Sequence, residues 1–173
     1  MTKIAISSGH GLKVPGAVGI LEEVAEARRV VERVAVHLRD AGVTVAEFRD
    51  DESVTVAENL NAITGWHNRR ERDLDVSVHF NAFTATHGPR GTETLYRSER
   101  EAAAAVSAAT ALAGGFRDRG AKKRTDLAFL NRTDKPAILI EVCFVDSAAD
   151  AMLYGENFDA ICRAIADALA GAG

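Results

Sequence analysis

Four segments of the chain carry side chains that could bind a metal ion or move a proton. Two histidines, His10 and His79, follow short apolar runs, an acidic pair occupies positions 22 and 23, and Glu141 interrupts the apolar run 138–142. Two histidines and one carboxylate form a zinc set that leaves one coordination position free for water. A further glutamate commonly handles the proton of such a water. The sequence therefore indicates a metal-dependent hydrolase.

Among these residues, Glu141 is the strongest evidence for a catalytic site. A carboxylate among buried hydrophobic residues is costly unless it is paired, protonated or bound to a metal. Taken alone, the other side chains have simpler interpretations. His10 could be a turn residue beside glycines, Glu23 a first-turn carboxylate favoured by the helix dipole, and His79 a polar residue at a strand end.

The remaining histidines and the cysteines are expected to have ordinary roles. We expect His37 to face solvent, His67 to end a helix and His87 to lie in a loop. Cys143 and Cys162 are too few for a disulfide framework, and both are expected to be free and buried. Neither cysteine has a nearby cysteine or histidine partner, which disfavours a structural zinc site.

Composition limits the class of protein. A chain of 173 residues with 47% hydrophobic residues can bury a substantial core in one domain. Its net charge of -4 argues against a general nucleic-acid surface. The apolar run after Lys3 is too short for a signal peptide, and no stretch approaches membrane-spanning length. We therefore expect no export by the general secretory route and no membrane insertion.

Strand-like and helix-like segments alternate along the chain. The predicted strands are 4–7, 43–48, 75–79, 91–96, 127–130 and 137–144, and the predicted helices are 23–41, 56–69, 99–113 and 157–170. This order predicts a single α/β domain over residues 1–173, with a mostly parallel twisted sheet of about six strands and helices on both faces. Because functional residues gather at the carboxyl ends of parallel strands, His10, His79 and Glu141 are expected to meet at one edge.

Three motifs in the same order resemble the zinc-dependent N-acetylmuramoyl-L-alanine amidases of type 3. The first is Ser-Ser-Gly-His-Gly at 7–11, followed by Gly-Ala-Val-Gly at 16–19 and an acidic residue that opens a helix. The second is 75–82, which contains His79, and the third is 136–145, which contains Glu141. The resemblance implies that His10, Glu23 and His79 bind Zn²⁺, that Glu141 is catalytic, and that Asn81 orients His79 or contacts substrate. Glu22 is the alternative ligand to Glu23, since the adjacent acidic pair leaves the register open by one residue.

The resemblance also implies the reaction and the partner. The substrate would be bacterial peptidoglycan, cleaved at the amide between the lactyl group of N-acetylmuramic acid and the L-alanine of the stem peptide. The expected absence of an export signal favours a phage endolysin, which stays in the host cytoplasm until a holin opens the membrane. A bacterial lytic enzyme is the alternative origin. The segments 84–90 and 118–125 are candidate cleft walls whose basic residues could meet stem-peptide carboxylates.

Three other classes remain open. A zinc carboxypeptidase or another N-acyl hydrolase could use the same ligands. A cysteine hydrolase would need an activated Cys143, which we expect on the face opposite Glu141. A non-catalytic wall-binding module would have no need of a carboxylate in a buried strand.

Overall fold

Six strands form the central sheet in a computed structural model that describes residues 2–171. The strands are β1 (Lys3–Gly11), β2 (Thr44–Asp50), β3 (Leu74–Asn81), β4 (Thr92–Tyr96), β5 (Asp118–Lys123) and β6 (Ala137–Phe144). The helices are α1 (Glu23–Asp40), α2 (Val56–Asn68), α3 (Arg100–Gly114), α4 (Ala128–Arg132) and α5 (Ala148–Ala170). The ends of the predicted range 1–173, namely Met1, Ala172 and Gly173, lie outside the described residues.

The strands lie in the order β2-β1-β3-β6-β4-β5. Every neighbouring pair is parallel except β4 and β6, which run antiparallel. The predicted single-domain α/β fold with a mostly parallel sheet is therefore confirmed. Since β1, β3 and β6 are adjacent and parallel, their carboxyl ends share one edge of the sheet, as the sequence predicts.

Helices cover both faces of this sheet. Apolar residues recur at helical spacing along one face of α1, and five of them on that face are buried (Ala27, Val30, Val31, Val34 and Leu38). Together with α3, α5 and one face of the sheet they form the larger hydrophobic core. A smaller core on the other face joins α2 and α4 to β4 and β6. Within residues 2–171, no helix combines the length and apolar character needed to cross a membrane.

The sequence prediction was wrong for three elements. Of the predicted strand 127–130, residues 128–130 lie in a short helix, α4, and Leu127 is its N-cap. The prediction failed because four residues are too few to separate helical from strand periodicity. Strand β5 was missed since its sequence, Asp-Arg-Gly-Ala-Lys-Lys, is that of a polar edge strand. Helix α5 begins at Ala148 instead of 157, and the non-helical backbone of Asn157 marks the place where the prediction started.

Two histidines lie in places that the sequence did not indicate. His37 does not face solvent: its side chain is buried and its Nε2 is 3.0 Å from Asp159 Oδ1. His67 ends a helix, as expected, yet it is fully buried, with Nδ1 2.7 Å from Asp75 Oδ1 and Nε2 2.9 Å from Ser7 Oγ. Asp159 is 122 residues from His37 in the sequence and Ser7 is 60 residues from His67, so local sequence could not reveal these two contacts. His87 is exposed in a loop, as predicted.

Candidate metal centre

His10, Glu23 and His79 meet at the shared edge of the sheet. His10 lies near the end of β1, His79 near the end of β3, and Glu23 at the first position of α1. The candidate ligand atoms of the three residues all lie within 4.8 Å of one another. The His10 and His79 side chains remain 34% and 19% exposed, whereas that of Glu23 is 4% exposed. The cluster is thus anchored by a buried carboxylate and open to solvent on its histidine side.

Glu23 connects the two histidines and the backbone around them. Its Oε1 accepts hydrogen bonds from His79 Nδ1 at 2.9 Å and from the Phe80 amide at 3.1 Å. Its Oε2 accepts from the Ala17 amide at 2.7 Å and lies 3.4 Å from His10 Nε2. Glu22, by contrast, is exposed, and its side chain does not cap α1. The geometry therefore favours Glu23 over Glu22 as the carboxylate of the cluster.

The electrostatics of Glu23 and His79 follow from these contacts. Burial opposes ionisation of Glu23, but the hydrogen bonds and charges of His10 and His79 outweigh it and lower the pKa of Glu23. Burial also opposes protonation of His79, yet the Glu23 hydrogen bond and the nearby Glu141 and Glu23 charges raise the pKa of His79. These contacts therefore favour an ionised Glu23 carboxylate between the two histidines.

The backbone around the cluster is shaped to bring these side chains close. His10 adopts φ +60°, and it is the single non-glycine residue with positive φ within residues 2–171. Such a conformation is costly and is retained where the surrounding structure requires it. A Cβ atom on Gly9 would lie 2.1 Å from the His79 ring, and one on Gly16 would lie 2.2 Å from Glu23 Oε2. The two glycines leave the space that the His79 and Glu23 side chains occupy.

These residues fit a zinc ion. Two imidazole nitrogens and a carboxylate oxygen are a common ligand set of catalytic zinc, with the fourth position left to water or substrate. Ligand atoms around a tetrahedral ion with bonds of about 2.1 Å lie roughly 3.4 Å apart. His10 Nε2 and Glu23 Oε2 have this separation, 3.4 Å. The three candidate ligands come from three separate elements, as is usual for a catalytic site and unlike the close cysteine pairs of structural zinc.

Glu141 lies beside the cluster. It is the register partner of His79 on the neighbouring strand β6, so the two side chains share one face of the sheet. Burial, reinforced by the negative charges of Glu23 and Glu93, raises the pKa of Glu141 to about 7. Its buried Oε2 has no hydrogen-bonding partner within residues 2–171. A carboxylate with this pKa and a free oxygen can both accept and donate a proton near neutral pH.

Sequence reasoning missed a polar group next to Glu141. Glu93 on β4 is the register partner of Glu141 and forms ion pairs with Arg119 and Lys122 of β5. Burial opposes its ionisation, but hydrogen bonds from Lys122 and Arg119 lower the pKa of Glu93. Asn81 Nδ2 donates to Glu93 Oε1 at 3.3 Å, which places this predicted substrate residue in the same group. The charged run in β5 was the available signal, but only the sheet pairing shows where it lies.

Cys143 is a core residue. It is fully buried in the larger hydrophobic core, and burial raises the pKa of its thiol well above the usual value. Strict strand alternation would place Cys143 on the same face as Glu141. The register between β3 and β6 shifts after His79, and this irregularity turns Cys143 to the opposite face, as expected. Cys162 is also free and buried.

Two cavities lie near the carboxyl end of β1. A small one of about 70 Å³ is lined by His10 and His79 together with residues of α2. A larger one of about 440 Å³ lies between α1 and β2 and is lined by Ser8 but by none of the five predicted site residues. The small cavity is therefore the one that adjoins the candidate metal centre.

The sequence matches one protein family and two curated proteins. The profile of the family described as N-acetylmuramoyl-L-alanine amidase matches residues 4–171. An uncharacterised protein of Clostridium perfringens strain 13 is 33% identical over 174 residues, covering 96% of this chain and 51% of the relative. An uncharacterised 38.4 kDa protein of the same species is 30% identical over 161 residues, covering 90% of this chain and 46% of the relative. The chain spans about half the length of the curated relatives it matches.

Solved structures share the fold. The catalytic domain of the CD27L endolysin, which targets Clostridia difficile, superposes with a TM-score of 0.90 at 24% identity, with 99% of this chain and 98% of that chain covered. The catalytic domain of CwlV, an N-acetylmuramoyl-L-alanine amidase from Bacillus (Paenibacillus) polymyxa var. colistinus, superposes with a TM-score of 0.80 at 27% identity, with 99% and 97% covered. Both similarities extend over essentially the whole sheet and its helices.

Proposed function

Because the chain belongs to the N-acetylmuramoyl-L-alanine amidase family, we propose that it hydrolyses the amide between the lactyl group of N-acetylmuramic acid and the L-alanine of the stem peptide. The observation that carries this proposal is the placement of Glu141 beside the His10, Glu23 and His79 cluster. That arrangement provides a metal site and a separate proton carrier on adjacent strands. A non-catalytic wall-binding module would not need the separate proton carrier.

His10, Glu23 and His79 would hold a Zn²⁺ ion. Zinc, when bound, polarises a scissile carbonyl and lowers the pKa of water toward neutrality. Glu23 holds His79 through the Nδ1 hydrogen bond and is itself held by the Ala17 and Phe80 amides, so the cluster is preorganised by buried contacts. The exposed sides of the histidines leave room for the substrate carbonyl.

Glu141 would move the proton. Its carboxylate accepts a proton from the water that attacks the amide carbon, and then delivers that proton to the amide nitrogen as the C–N bond breaks. The products are a free lactyl carboxylate and a peptide with a new alanine amine. The pKa of about 7 suits both halves of this transfer near neutral pH. The inert thiol of Cys143 supports this mechanism over that of a cysteine hydrolase.

A role in host-cell lysis is the biological setting we propose. The fold likeness to the CD27L endolysin catalytic domain supports it. A bacterial enzyme that remodels its own wall is the second candidate, supported by the likeness to CwlV. Expression inside a bacterium, with and without a pore-forming holin, separates them: an endolysin lyses the cells only when the holin is present.

Digestion of purified cell wall tests the reaction. We expect new N-terminal alanine without new sugar reducing ends, and loss of this release after zinc is chelated. New reducing ends would indicate cleavage of the glycan. Release of amino acids from the far end of the stem peptide would indicate a zinc carboxypeptidase instead.

A further inference from the structure

The small cavity beside the metal centre has the size and chemistry of an alkyl-binding pocket. Its lining combines five apolar residues with His10 and His79 and with three polar residues (Val14, Val56, Leu60, Ile63, Phe129; Asn59, Thr64, Ser77). Val14, Ile63 and Phe129 are buried, whereas Val56 is 63% exposed and lies at the rim. We call it the α2 pocket. Its volume of about 70 Å³ accommodates a methyl group, since one water molecule occupies about 30 Å³ in the liquid.

Two polar residues that line the α2 pocket, Asn59 and Thr64, already have hydrogen-bonding partners inside the protein. Asn59 Nδ2 donates to Asp50 Oδ2 at 2.8 Å, and Thr64 Oγ1 donates to the Leu60 carbonyl at 2.8 Å. Of the other lining residues, Ser77 carries a hydroxyl group, whereas Val14, Val56, Leu60, Ile63 and Phe129 are apolar. An alkyl group therefore gains more from burial in this pocket than a polar group does.

The row of side chains across the sheet sets the direction of a bound amide. His79, Glu141 and Glu93 are register partners on three neighbouring strands, and the α2 pocket lies on the His79 side of that row. Since Glu141 delivers a proton to the departing nitrogen, the peptide part of the substrate extends toward β4 and β5. The acyl part then extends toward His10, His79 and the α2 pocket.

Charge on the far side of Glu141 supports this direction. Arg119 and Lys122 share the single carboxylate of Glu93, so the group keeps an excess of positive charge. Both cationic side chains are partly exposed, Arg119 at 28% and Lys122 at 41%. A stem peptide carries carboxylates, whereas the acyl part next to the scissile bond is neutral and carries a methyl group. The peptide thus complements β5, and the acyl methyl complements the apolar pocket.

We propose that the α2 pocket binds the methyl group of the lactyl moiety and thereby selects muramoyl substrates in this orientation. This inference rests on the proposed amidase function and adds to it the position of the acyl group. One well-buried methyl group changes kcat/KM by about 10–200-fold. The pocket is therefore a specificity site, and its effect is measurable with substrates that differ by one carbon.

Three soluble muramoyl peptides test the proposal. The first carries the natural lactyl and L-alanyl groups, the second replaces lactyl by glycolyl, and the third replaces L-alanine by glycine. We expect kcat/KM to fall about tenfold or more for the glycolyl compound and to fall less for the glycine compound. Inhibition constants against cell-wall cleavage provide the same comparison without requiring turnover of each compound. Equal values for the lactyl and glycolyl compounds overturn the proposal, and a loss confined to the glycine compound reverses the orientation and overturns it too.

Variants that fill the α2 pocket test the same proposal against a matched control variant. Val56→Phe places a ring at its rim, and Val54→Phe is the control, since both valines are 63% exposed and Val54 does not line the pocket. We expect Val56→Phe to lose the preference for lactyl over glycolyl with its zinc content unchanged, and Val54→Phe to keep it. Leu60→Phe is a second filling variant. If both filling variants keep the wild-type preference, the methyl group binds elsewhere.

Release of alanine from cell wall distinguishes a failure of the pocket assignment from a failure of the proposed amidase function. A wild-type protein that releases alanine but treats lactyl and glycolyl compounds alike contradicts the pocket assignment and leaves the amidase function standing. A wild-type protein that releases no alanine contradicts the amidase function itself.

Discussion

The Glu23 carboxylate links His10, His79 and two backbone amides, so this one side chain organises the candidate metal centre. The neighbouring Glu22 has the same chemistry but an exposed position. Sequence alone left the choice between them open, because one residue of register decides which carboxylate turns inward. In the structure the first turn of α1 buries Glu23, which is 3% exposed.

We expect Glu23→Ala to lose most of its bound zinc and Glu22→Ala to retain it. The first substitution removes a ligand and the hydrogen bond that holds His79, whereas the second removes an exposed side chain. Zinc content of the purified variants, measured by atomic emission together with a zinc-binding titration, makes the comparison. The opposite result would make Glu22 the ligand.

A buried polar network joins α2 to β1 and β3 beneath the candidate metal centre. His67 of α2 bridges Asp75 of β3 and Ser7 of β1, and Arg72 forms two further hydrogen bonds to Asp75. Ser7 and Asp75 precede the candidate ligands His10 and His79 on the same two strands by three and four residues. The network therefore fixes α2 to the strands that carry the candidate metal centre, and its members are all at most 4% exposed.

We expect His67→Ala to lower the free energy of unfolding by about 2–4 kcal/mol, through the cavity it creates and the lost hydrogen bonds. Urea denaturation measures the change. The exposed His87 provides the control, and His87→Ala should change stability by about 0.5 kcal/mol or less. A His67→Ala protein as stable as the wild type would mean that the network contributes nothing to the fold.

At the scale of the whole molecule, sequence predicts the structural elements and the sheet type that depend on the pattern of apolar residues. Buried runs such as 137–144 and the spaced apolar residues of α1 predict their elements, and their alternation predicts the parallel sheet and the edge where His10, His79 and Glu141 meet. The strand count of six was also predicted, but with 127–130 in place of β5. An exposed edge strand such as β5 has no buried pattern to detect, and its pairing with β4 is set by distant residues.

Long-range pairing also decides the polar contacts that sequence could not predict. Glu93 is an ordinary strand residue in the sequence, and only the antiparallel β4–β6 pairing places it beside Glu141. His67 of α2 likewise meets its partners, Asp75 and Ser7, only because α2 packs beside β3 and β1. Residue type and position within one element are readable from sequence, whereas contacts between elements depend on register.

The fold as a whole should not depend on zinc. The two hydrophobic cores are formed by apolar residues of the sheet and its helices, so we expect removal of the ion to leave the packing of both faces in place. We expect chelation to leave the far-ultraviolet circular dichroism spectrum unchanged while lowering the thermal midpoint, because zinc binds only the folded state. Added zinc should restore the midpoint. Loss of helical signal on chelation would instead make the ion part of the folding core.

The separation of roles between the metal cluster and Glu141 is tested most directly by the variant Glu141→Gln. The glutamine keeps the size of the side chain but accepts no proton, so we expect about one zinc per chain and a turnover of cell wall lower by roughly 10²–10⁴-fold. Zinc content and alanine release are measured on the same preparation. Loss of zinc would make Glu141 a metal ligand, and full activity would mean that another residue moves the proton.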